Sequence, residues 1–408
     1  MTSIDRDKLT ERATVHLERL CAGLADRHTG GAGNVAANAY FADIASRAGL
    51  DVERIGFDCF EWEPGPAYLE TTSGILTAKR GPYSLPCKAE ATLVAATTVG
   101  ELEALDAEGC VLLLHGPIAS AQLTPRGYPF YSVDEHTQIL SAIEAARPAA
   151  IIAITGRDEM AGAIYPFPLM NDATVDVPSA YVRDVDGPAL LAHVGETVRF
   201  TMDAKRIPTR AEQVIVRTPG TGVGRILVSA HIDTARETPG ALDNGTGVAC
   251  LLGLIEELAG RPSRHTIEVL PFNGEDNYAA KGELVYLAAN PDGFSDVTVV
   301  VNIDAAGLAG AATDVSFYSC PDVVNEAAEA AMAPLASVQT GPAWPASDHM
   351  VFAMQGIPAM AIASAELTRV VGEIAHTELD TPDLADPALM ADIVEFILRL
   401  IEELDARA

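Results

Sequence analysis

The chain has 408 residues, of which 49% are hydrophobic and 6% aromatic. A chain of this length is unusually large for a single domain, so we expect a large α/β core together with a second domain. With 27 Lys and Arg residues against 57 Asp and Glu residues, the net charge at pH 7 is −30. An acidic chain of this kind is a poor partner for nucleic acid or for an anionic membrane.

Targeting and membrane signals are missing from the pattern. Residues 1–12 are polar, which predicts a cytoplasmic location. The apolar runs are too short to cross a bilayer. The six cysteines show no CxxC spacing and most lie within or beside apolar runs, so we expect buried free thiols.

The N-terminal part, residues 1–64, predicts helices followed by a strand. Two helical patterns follow each other over residues 9–50, interrupted by HTGGAGN at residues 28–34. A strand-like run at residues 52–62 then leads into EPGPAY, whose prolines and glycine predict a domain boundary. These residues are interpreted as a helical entry into a larger domain.

Residues 65–207 have a different character. Short apolar strands alternate with turns, and one clear helix is predicted at residues 136–146. No cluster of candidate catalytic groups occurs in this stretch. We interpret it as an inserted, β-rich domain that covers the site or controls access to it.

Residues 208–408 alternate buried strands with amphipathic helices, which predicts a mostly parallel sheet covered on both faces. The predicted strands are residues 225–230, 266–272, 297–303 and 358–363. The clearest predicted helices are residues 244–258 and 388–404, each with one apolar face.

Chemically active side chains follow three of these strands. His231 and Asp233 come after the first strand, Glu275 and Asp276 after the second, and Asp304 after the third. Because the carboxyl ends of parallel strands meet at one edge of a sheet, we expect these side chains to converge.

Two further residues complete the candidate set. Asp243 directly precedes the predicted helix, where a carboxylate also serves as an ordinary N-cap. The glycines around it, Gly240, Gly245 and Gly247, favour a ligand role, because they let the backbone pass close to a bound ion. His376 lies in the loop ahead of the final helix.

Imidazole and carboxylate groups are the ligands that suit Zn²⁺. Two histidines and three carboxylates suffice for two ions if one carboxylate bridges them. Amide hydrolysis also needs a base, for which Glu275 is well placed. Asp233 is predicted to accept the second N–H of His231, and Asp380 that of His376. Manganese or cobalt remain alternatives to zinc.

Four other residues have two interpretations each. Asp348 and His349, in SDHMVF, either stabilise the oxygen of the tetrahedral intermediate or form a structural pair beneath the site. Arg236 and Arg369 flank the predicted site and are either anchors for a substrate carboxylate or solvated surface arginines.

The ordered motifs resemble those of the M28 metallopeptidases. HIDTARETPGALDNGTGVA, NGED, VVNID, SDHMVF and HTELDT follow each other in the family's order across residues 207–404. Residues 27–50 resemble the family's N-terminal helix, and the middle segment resembles the protease-associated (PA) domain often inserted in such enzymes.

The resemblance implies a three-layer α/β/α zinc-peptidase domain with a mixed, mostly parallel sheet and an inserted PA-like domain. His231 and Asp304 would then hold one zinc, Asp276 and His376 the other, and Asp243 would bridge them. Glu275 would act as the acid and base. One position departs from the family pattern: Asp276 stands where the family frequently has glutamate. Because its side chain is shorter, we expect lower affinity for the metal at this position or a different metal.

The resemblance implies a two-zinc aminopeptidase that hydrolyses the N-terminal amide bond of short peptides, through a water shared by the metals. The alternative is a metal-dependent carboxypeptidase or amidase acting on an N-acylated or modified small molecule, with an arginine anchor. A catalytically silent scaffold and a single-zinc cyclisation, as in glutaminyl cyclases, are less favoured because no ligand is missing. The sequence does not determine the oligomeric state, and a homodimer is one alternative.

Overall fold

The computed structural model describes residues 4–24, 26–158, 161–222, 224–277 and 280–408. The strands of these residues are β1 (Asp51–Thr71), β2 (Gly74–Thr77), β3 (Lys79–Arg80), β4 (Cys87–Ala96), β5 (Val111–Leu114), β6 (Ala150–Thr155), β7 (Ser179–Arg183), β8 (Thr197–Thr218), β9 (Arg225–His231), β10 (Thr266–Phe272), β11 (Val297–Ile303), β12 (Thr313–Tyr318), β13 (Val338–Thr340) and β14 (Ala359–Ser364).

The α-helices are α1 (Arg6–Cys21), α2 (Ala32–Arg47), α3 (Val99–Ala104), α4 (Asp134–Ala146), α5 (Gly187–Leu191), α6 (Thr246–Leu258), α7 (Lys281–Ala289), α8 (Asp322–Met332), α9 (His349–Ala353), α10 (Leu367–Arg369) and α11 (Pro387–Arg407). The chain divides into two units. One comprises residues 1–57, 129–131 and 210–408, and the other comprises residues 58–128 and 132–209.

The larger unit is built on a mixed sheet whose strands run in the order β13, β12, β14, β11, β9, β10 and the end of β8. The central strands β14, β11, β9 and β10 are parallel to one another. The antiparallel pairings are β12 with β14 and β8 with β10. The predicted mixed, mostly parallel sheet is therefore confirmed.

Helices cover both faces of this sheet because its strands carry apolar side chains on both sides. On one face, α1, α2, α6, α8 and α11 pack around a core that includes Ile226, Val228 and Val301. On the other face, Phe272 packs beside aromatic side chains of α7 and α9, at ring separations of 5.6 Å to Tyr286 and 6.3 Å to Phe352. The result is the expected three-layer α/β/α arrangement.

The C-terminal helix is anchored by one carboxylate. Asp405 accepts hydrogen bonds from the hydroxyl of Ser263, from the backbone N–H of Arg264, and from both the backbone and the ring of His265. These residues precede β10, so the contact lies at the end of that strand opposite to its carboxyl end. The end of α11 is thereby fixed to the sheet.

In the smaller unit the start of β8 pairs with β4, followed by β5, β6, β7 and β3. The pairs from β4 to β7 are parallel. Two separate apolar clusters lie within this unit, one including α4. Its predicted resemblance to a PA domain stays a prediction.

The predicted domain boundaries lie close to the observed division and differ in local structure. The sequence places breaks at 64/65 and 207/208, whereas the units divide at 57/58 and 209/210. β1 continues through EPGPAY to Thr71, and the observed division at 57/58 lies within the same strand, so the boundary at EPGPAY stays a prediction. Prolines are tolerated in a strand where no ladder N–H is needed.

The remaining expectations concern membranes and thiols. Among the helices of the described residues, none combines the length and hydropathy needed to cross a membrane. The six cysteines form no disulfide bonds with one another, and four of them are buried.

Candidate metal centre

Three of the predicted ligands lie at neighbouring strand ends. His231 is the last residue of β9, which pairs in parallel with β10 on one side and β11 on the other. Asp276 follows β10, and Asp304 directly follows β11. The sheet register therefore places these three side chains at one edge.

Asp243 reaches the site from an irregular turn. The turn Ala241–Gly245 contains non-helical backbone at Asp243 and Asn244, and α6 begins only at Thr246. Asp243 is therefore not the N-cap of α6. Its backbone N–H, together with that of Leu242, donates to the carboxylate of Asp380 at 3.0 and 2.7 Å.

The expected reason for the glycines near Asp243 is wrong. Gly240 has a φ of +57°, and a Cβ there would lie 2.2 Å from Thr234 and 2.8 Å from the carbonyl of Asp243. A Cβ at Gly247 would lie 2.3 Å from the side-chain oxygen of Asn244. These glycines are required by close protein packing rather than by the approach of an ion.

The five predicted ligands form two groups that share Asp243. The Nε2 atom of His231 lies 3.0 Å from Oδ1 of Asp243 and 3.4 Å from Oδ1 of Asp304. The Nε2 atom of His376 lies 3.1 Å from Oδ2 of Asp243 and 2.7 Å from Oδ1 of Asp276. Each oxygen of the Asp243 carboxylate thus faces a different histidine.

The electrostatics of the site show a surplus of negative charge. Burial alone would lower the pKa of His231, but the carboxylates of Asp304 and Asp243 outweigh it and hold that pKa well above its ordinary value. The pKa of His376 is raised in the same way by Asp276 and Asp243. Without a cation, both imidazoles would need protons to balance these carboxylates.

The donor set fits divalent cations such as zinc. One ligand atom each of His231, Asp243 and Asp276 lies within 4.8 Å of the others. The buried Nε2 atom of His231 has no hydrogen-bond partner among the described residues, although two carboxylates lie beside it. A neutral imidazole nitrogen that faces carboxylate oxygens is arranged as a metal ligand.

Glu275 has a free carboxylate beside these ligands. Its backbone N–H donates to Oδ1 of Asp233 at 3.2 Å. Within the described part of the chain, its carboxylate forms no ion pair or hydrogen bond. Burial raises the pKa of Glu275, and the carboxylates of Asp276 and Asp304 raise it further. This group is available to take up a proton.

The prediction that the carboxylate of Asp233 accepts the second N–H of His231 is wrong. The Nδ1 atom of His231 contacts the backbone carbonyl of Asp233 at 3.1 Å, whereas the carboxylate is 3.9 Å away. That carboxylate instead accepts the backbone N–H groups of Gly274 and Glu275 at 2.8 and 3.2 Å. Asp233 therefore joins the two loops that carry His231 and Glu275.

The prediction for Asp380 is also wrong. Its carboxylate is used by the turn that holds Asp243. The Nδ1 atom of His376 has no hydrogen-bond partner in the described residues. The error arises because proximity along the chain does not reveal which loop a side chain faces.

The short side chain of Asp276 reaches its neighbours. One oxygen lies 2.7 Å from Nε2 of His376, and the other accepts the backbone N–H of Ala235 at 2.7 Å. The loop after β9 thus supports the carboxylate from behind. The aspartate at this position therefore lies within the ligand cluster.

Asp348 and His349 lie beneath the site. His349 is buried, and its Nε2 atom donates to the carbonyl of Trp344 at 3.0 Å, while its ring packs 4.7 Å from that of Tyr318. Burial lowers the pKa of His349 to about 4. This arrangement favours the structural interpretation of His349.

Glu283, which interacts with Asp348, was not predicted from the sequence. Both side chains are fully buried, and burial together with the neighbouring carboxyl group raises the pKa of Asp348 well above its ordinary value. If both were ionised, their four oxygens would have no donor among the described residues. A proton shared by the pair supplies that donor, so Asp348 is committed to Glu283.

The two candidate arginine anchors have other contacts. Arg369 lies 3.0 Å from Glu366 and 3.9 Å from Glu373 on the surface. Arg236 lies close enough to Asp26 to lower the pKa of that carboxyl. The guanidinium of Arg369 is therefore engaged by surface carboxylates.

Comparison with known proteins identifies the domain that carries the site. The sequence of residues 213–401, which contains all five ligands and Glu275, matches peptidase family M28. These residues form an M28 peptidase domain. This confirms the resemblance inferred from the motifs and supports the predicted enzyme class, a metal-dependent hydrolase.

Two relatives align with different parts of the chain. A vacuolar membrane protease of Clavispora lusitaniae is 30% identical over 104 residues, which are 25% of this chain and 10% of that protein. A probable lipoprotein aminopeptidase of Mycobacterium tuberculosis, LpqL, is 25% identical over 309 residues, or 72% of this chain and 58% of that protein. The alignments thus span less than two thirds of either relative.

Solved structures share the fold at low identity. The aminopeptidase from Aneurinibacillus sp. strain AM-1 is 20% identical with a TM-score of 0.73, covering 98% of this chain and 93% of that one. BSAP, a zinc aminopeptidase from Bacillus subtilis, is 19% identical with a TM-score of 0.70, covering 97% and 94%. A glutaminyl cyclase from Fimbriiglobus ruber is 14% identical with a TM-score of 0.52, covering 99% and 96%.

The buried acid pair beneath the M28 site predicts a pH-dependent stability. Burial raises the pKa of Glu283 from 4.5 to about 7, so the folded protein keeps a proton that the unfolded chain loses between these values. The free energy of unfolding should therefore fall as the pH rises through this window. Glu283→Gln has no such proton, so its stability relative to the wild type should increase by on the order of 3 kcal/mol from about pH 5 to 8.

This prediction is measured by urea unfolding of the metal-free proteins at several pH values. Glu329→Gln, an exposed change on α8, is the control and should show a constant difference from the wild type. A constant difference for Glu283→Gln as well would show that the pair does not hold the proton.

Proposed function

We propose that this chain is a two-zinc aminopeptidase that hydrolyses the amide bond after the N-terminal residue of short peptides. The observation that carries the proposal is the position of Asp243, whose two oxygens lie 3.0 and 3.1 Å from the Nε2 atoms of His231 and His376. A carboxylate shared between two ligand groups suits a pair of cations. Members of the same fold include a zinc aminopeptidase.

In the proposed site, His231 and Asp304 would hold one ion, Asp276 and His376 would hold the other, and Asp243 would serve both. When bound, the two ions polarise the scissile carbonyl and lower the pKa of the attacking water. The surplus of carboxylates supports two ions rather than one, because a single divalent charge leaves part of it unbalanced.

Glu275 is the proposed general base. It takes the proton from the water as the water oxygen attacks the carbonyl carbon. It then gives that proton to the amide nitrogen, the C–N bond breaks, and a free amine leaves. Its free carboxylate next to the ligands supports this role.

Asp233 is the proposed positioning residue for this base. By accepting the N–H groups of Gly274 and Glu275, it fixes the start of the Glu275 loop relative to the loop of His231. The base is thereby held in a constant position relative to the ligands.

The charge around the site favours a substrate with a free amino terminus. Carboxylates attract an ammonium group, whereas a carboxypeptidase would need a cation to bind the terminal carboxylate. The ion pairs of Arg369 with Glu366 and Glu373 weigh against that alternative. Cellular location and oligomeric state stay predictions.

The substrate preference is tested with a dipeptide library in two forms, with the amino terminus free and acetylated. We expect cleavage of the free forms only, abolished by a chelator and restored by zinc. Cleavage confined to the acetylated forms would contradict the aminopeptidase proposal and favour an amidase or carboxypeptidase.

The role of the base is tested with Glu275→Gln, which keeps the size of the side chain and removes its ability to accept a proton. We expect kcat to fall by about 10²–10⁴-fold with unchanged zinc content. Glu329→Gln, remote and exposed on α8, should keep the wild-type rate. A wild-type rate in Glu275→Gln would remove Glu275 from the mechanism.

A further inference from the structure

Residues 27–34, with the sequence RHTGGAGN, comprise the segment before α2 and the first residues of that helix, and they contact two of the loops that carry proposed ligands. In the sequence they only interrupt two helices. In the structure the side chains of Arg27, Thr29 and Asn34 have no exposed surface. Their hydrogen bonds reach residues more than 200 positions away.

The guanidinium of Arg27 binds backbone carbonyls of the loop between His231 and Asp243. Its Nε atom donates to Ile232 at 3.1 Å, and its Nη atoms donate to Pro239 and Gly240 at 3.1 and 2.8 Å. A further bond reaches Leu20 in α1. Within the described residues, no carboxylate forms an ion pair with this charge.

Burying a charge with only neutral partners is costly unless its donors are satisfied. The planar fork of an arginine offers five donors in fixed directions, and here it spans several carbonyls at once. A lysine offers a point charge and does not span them. The loop that joins two ligands is therefore fixed by one side chain.

The same segment contacts the loop after β9, at Asp233, and the loop after β10, at Asn273. The hydroxyl of Thr29 donates to Oδ2 of Asp233 at 3.2 Å. The side-chain amides of Asn34 and Asn273 bond to each other in both directions, at 2.8 and 3.1 Å. Asn273 begins the loop that carries Glu275 and Asp276, so this pair holds that loop as well.

We propose that residues 27–34 set the distance between the two ligand-carrying loops, and that Arg27 and Thr29 are positioning residues of the metal centre. The inference rests on the proposed zinc site. Groups behind the ligands affect metal affinity because they fix ligand orientation, and their loss typically costs 10–100-fold.

The test compares the zinc affinity of Arg27→Lys and Thr29→Val with that of the wild type, by competition with a chromophoric chelator at 25 °C. Thr29→Val is nearly isosteric and keeps the proposal testable if Arg27→Lys does not fold. Asp405→Ala is the matched control, because it loses several partly buried hydrogen bonds at the opposite end of β10. Circular dichroism selects variants that are folded.

We expect zinc affinity to fall by at least tenfold in Arg27→Lys and several-fold in Thr29→Val, and by less than twofold in Asp405→Ala at comparable thermal stability. Wild-type affinity in folded Arg27→Lys or Thr29→Val, or an equal loss in Asp405→Ala, would overturn the inference. Failure of the wild type to bind zinc would instead overturn the proposed metal centre.

Discussion

Mutual repulsion of carboxylates is the constraint on which the rest of the larger unit depends. Asp243, Asp276 and Asp304 are all buried around two imidazoles. Two like charges about 4 Å apart repel by roughly 4 kcal/mol at an effective dielectric constant of about 20. Such a cluster persists only if cations or protons balance it and if the surrounding backbone prevents the side chains from moving apart.

The surrounding contacts provide that restraint. Asp380 holds the turn of Asp243, Ala235 holds Asp276, and Asp233 joins the loops of His231 and Glu275. Each of these contacts is a hydrogen bond between a buried carboxylate and a backbone N–H group. Because the carboxylate is charged, the bond is stronger than one between neutral groups. The ligands are therefore positioned by the loops rather than by one another.

The sequence predicts the part of this site that depends on the sheet. His231, Asp276 and Asp304 follow three strands, and the parallel register of β9, β10 and β11 brings those strand ends together. Hydrophobic patterns are sufficient to identify such strands. The convergence of these side chains and the three-layer fold could thus be predicted without coordinates.

The supporting contacts could not be predicted, because they depend on loop conformation. The carboxylate of Asp233 faces Gly274 rather than His231, and Asp380 faces Asp243 rather than His376. Glu283 meets Asp348 from an element 65 residues earlier in the chain. Chain spacing carries no information about such distant partners. The course of β1 through EPGPAY was missed for a related reason, since its strand partners were unknown.

The most direct test of the account is the number of zinc ions bound per folded chain. This is measured by equilibrium titration of the metal-free protein with zinc and by elemental analysis after dialysis. The account predicts two ions in the wild type and one in His376→Ala, which loses a ligand of only one group. A single ion in the wild type, or the same number in both proteins, would contradict a centre bridged by Asp243.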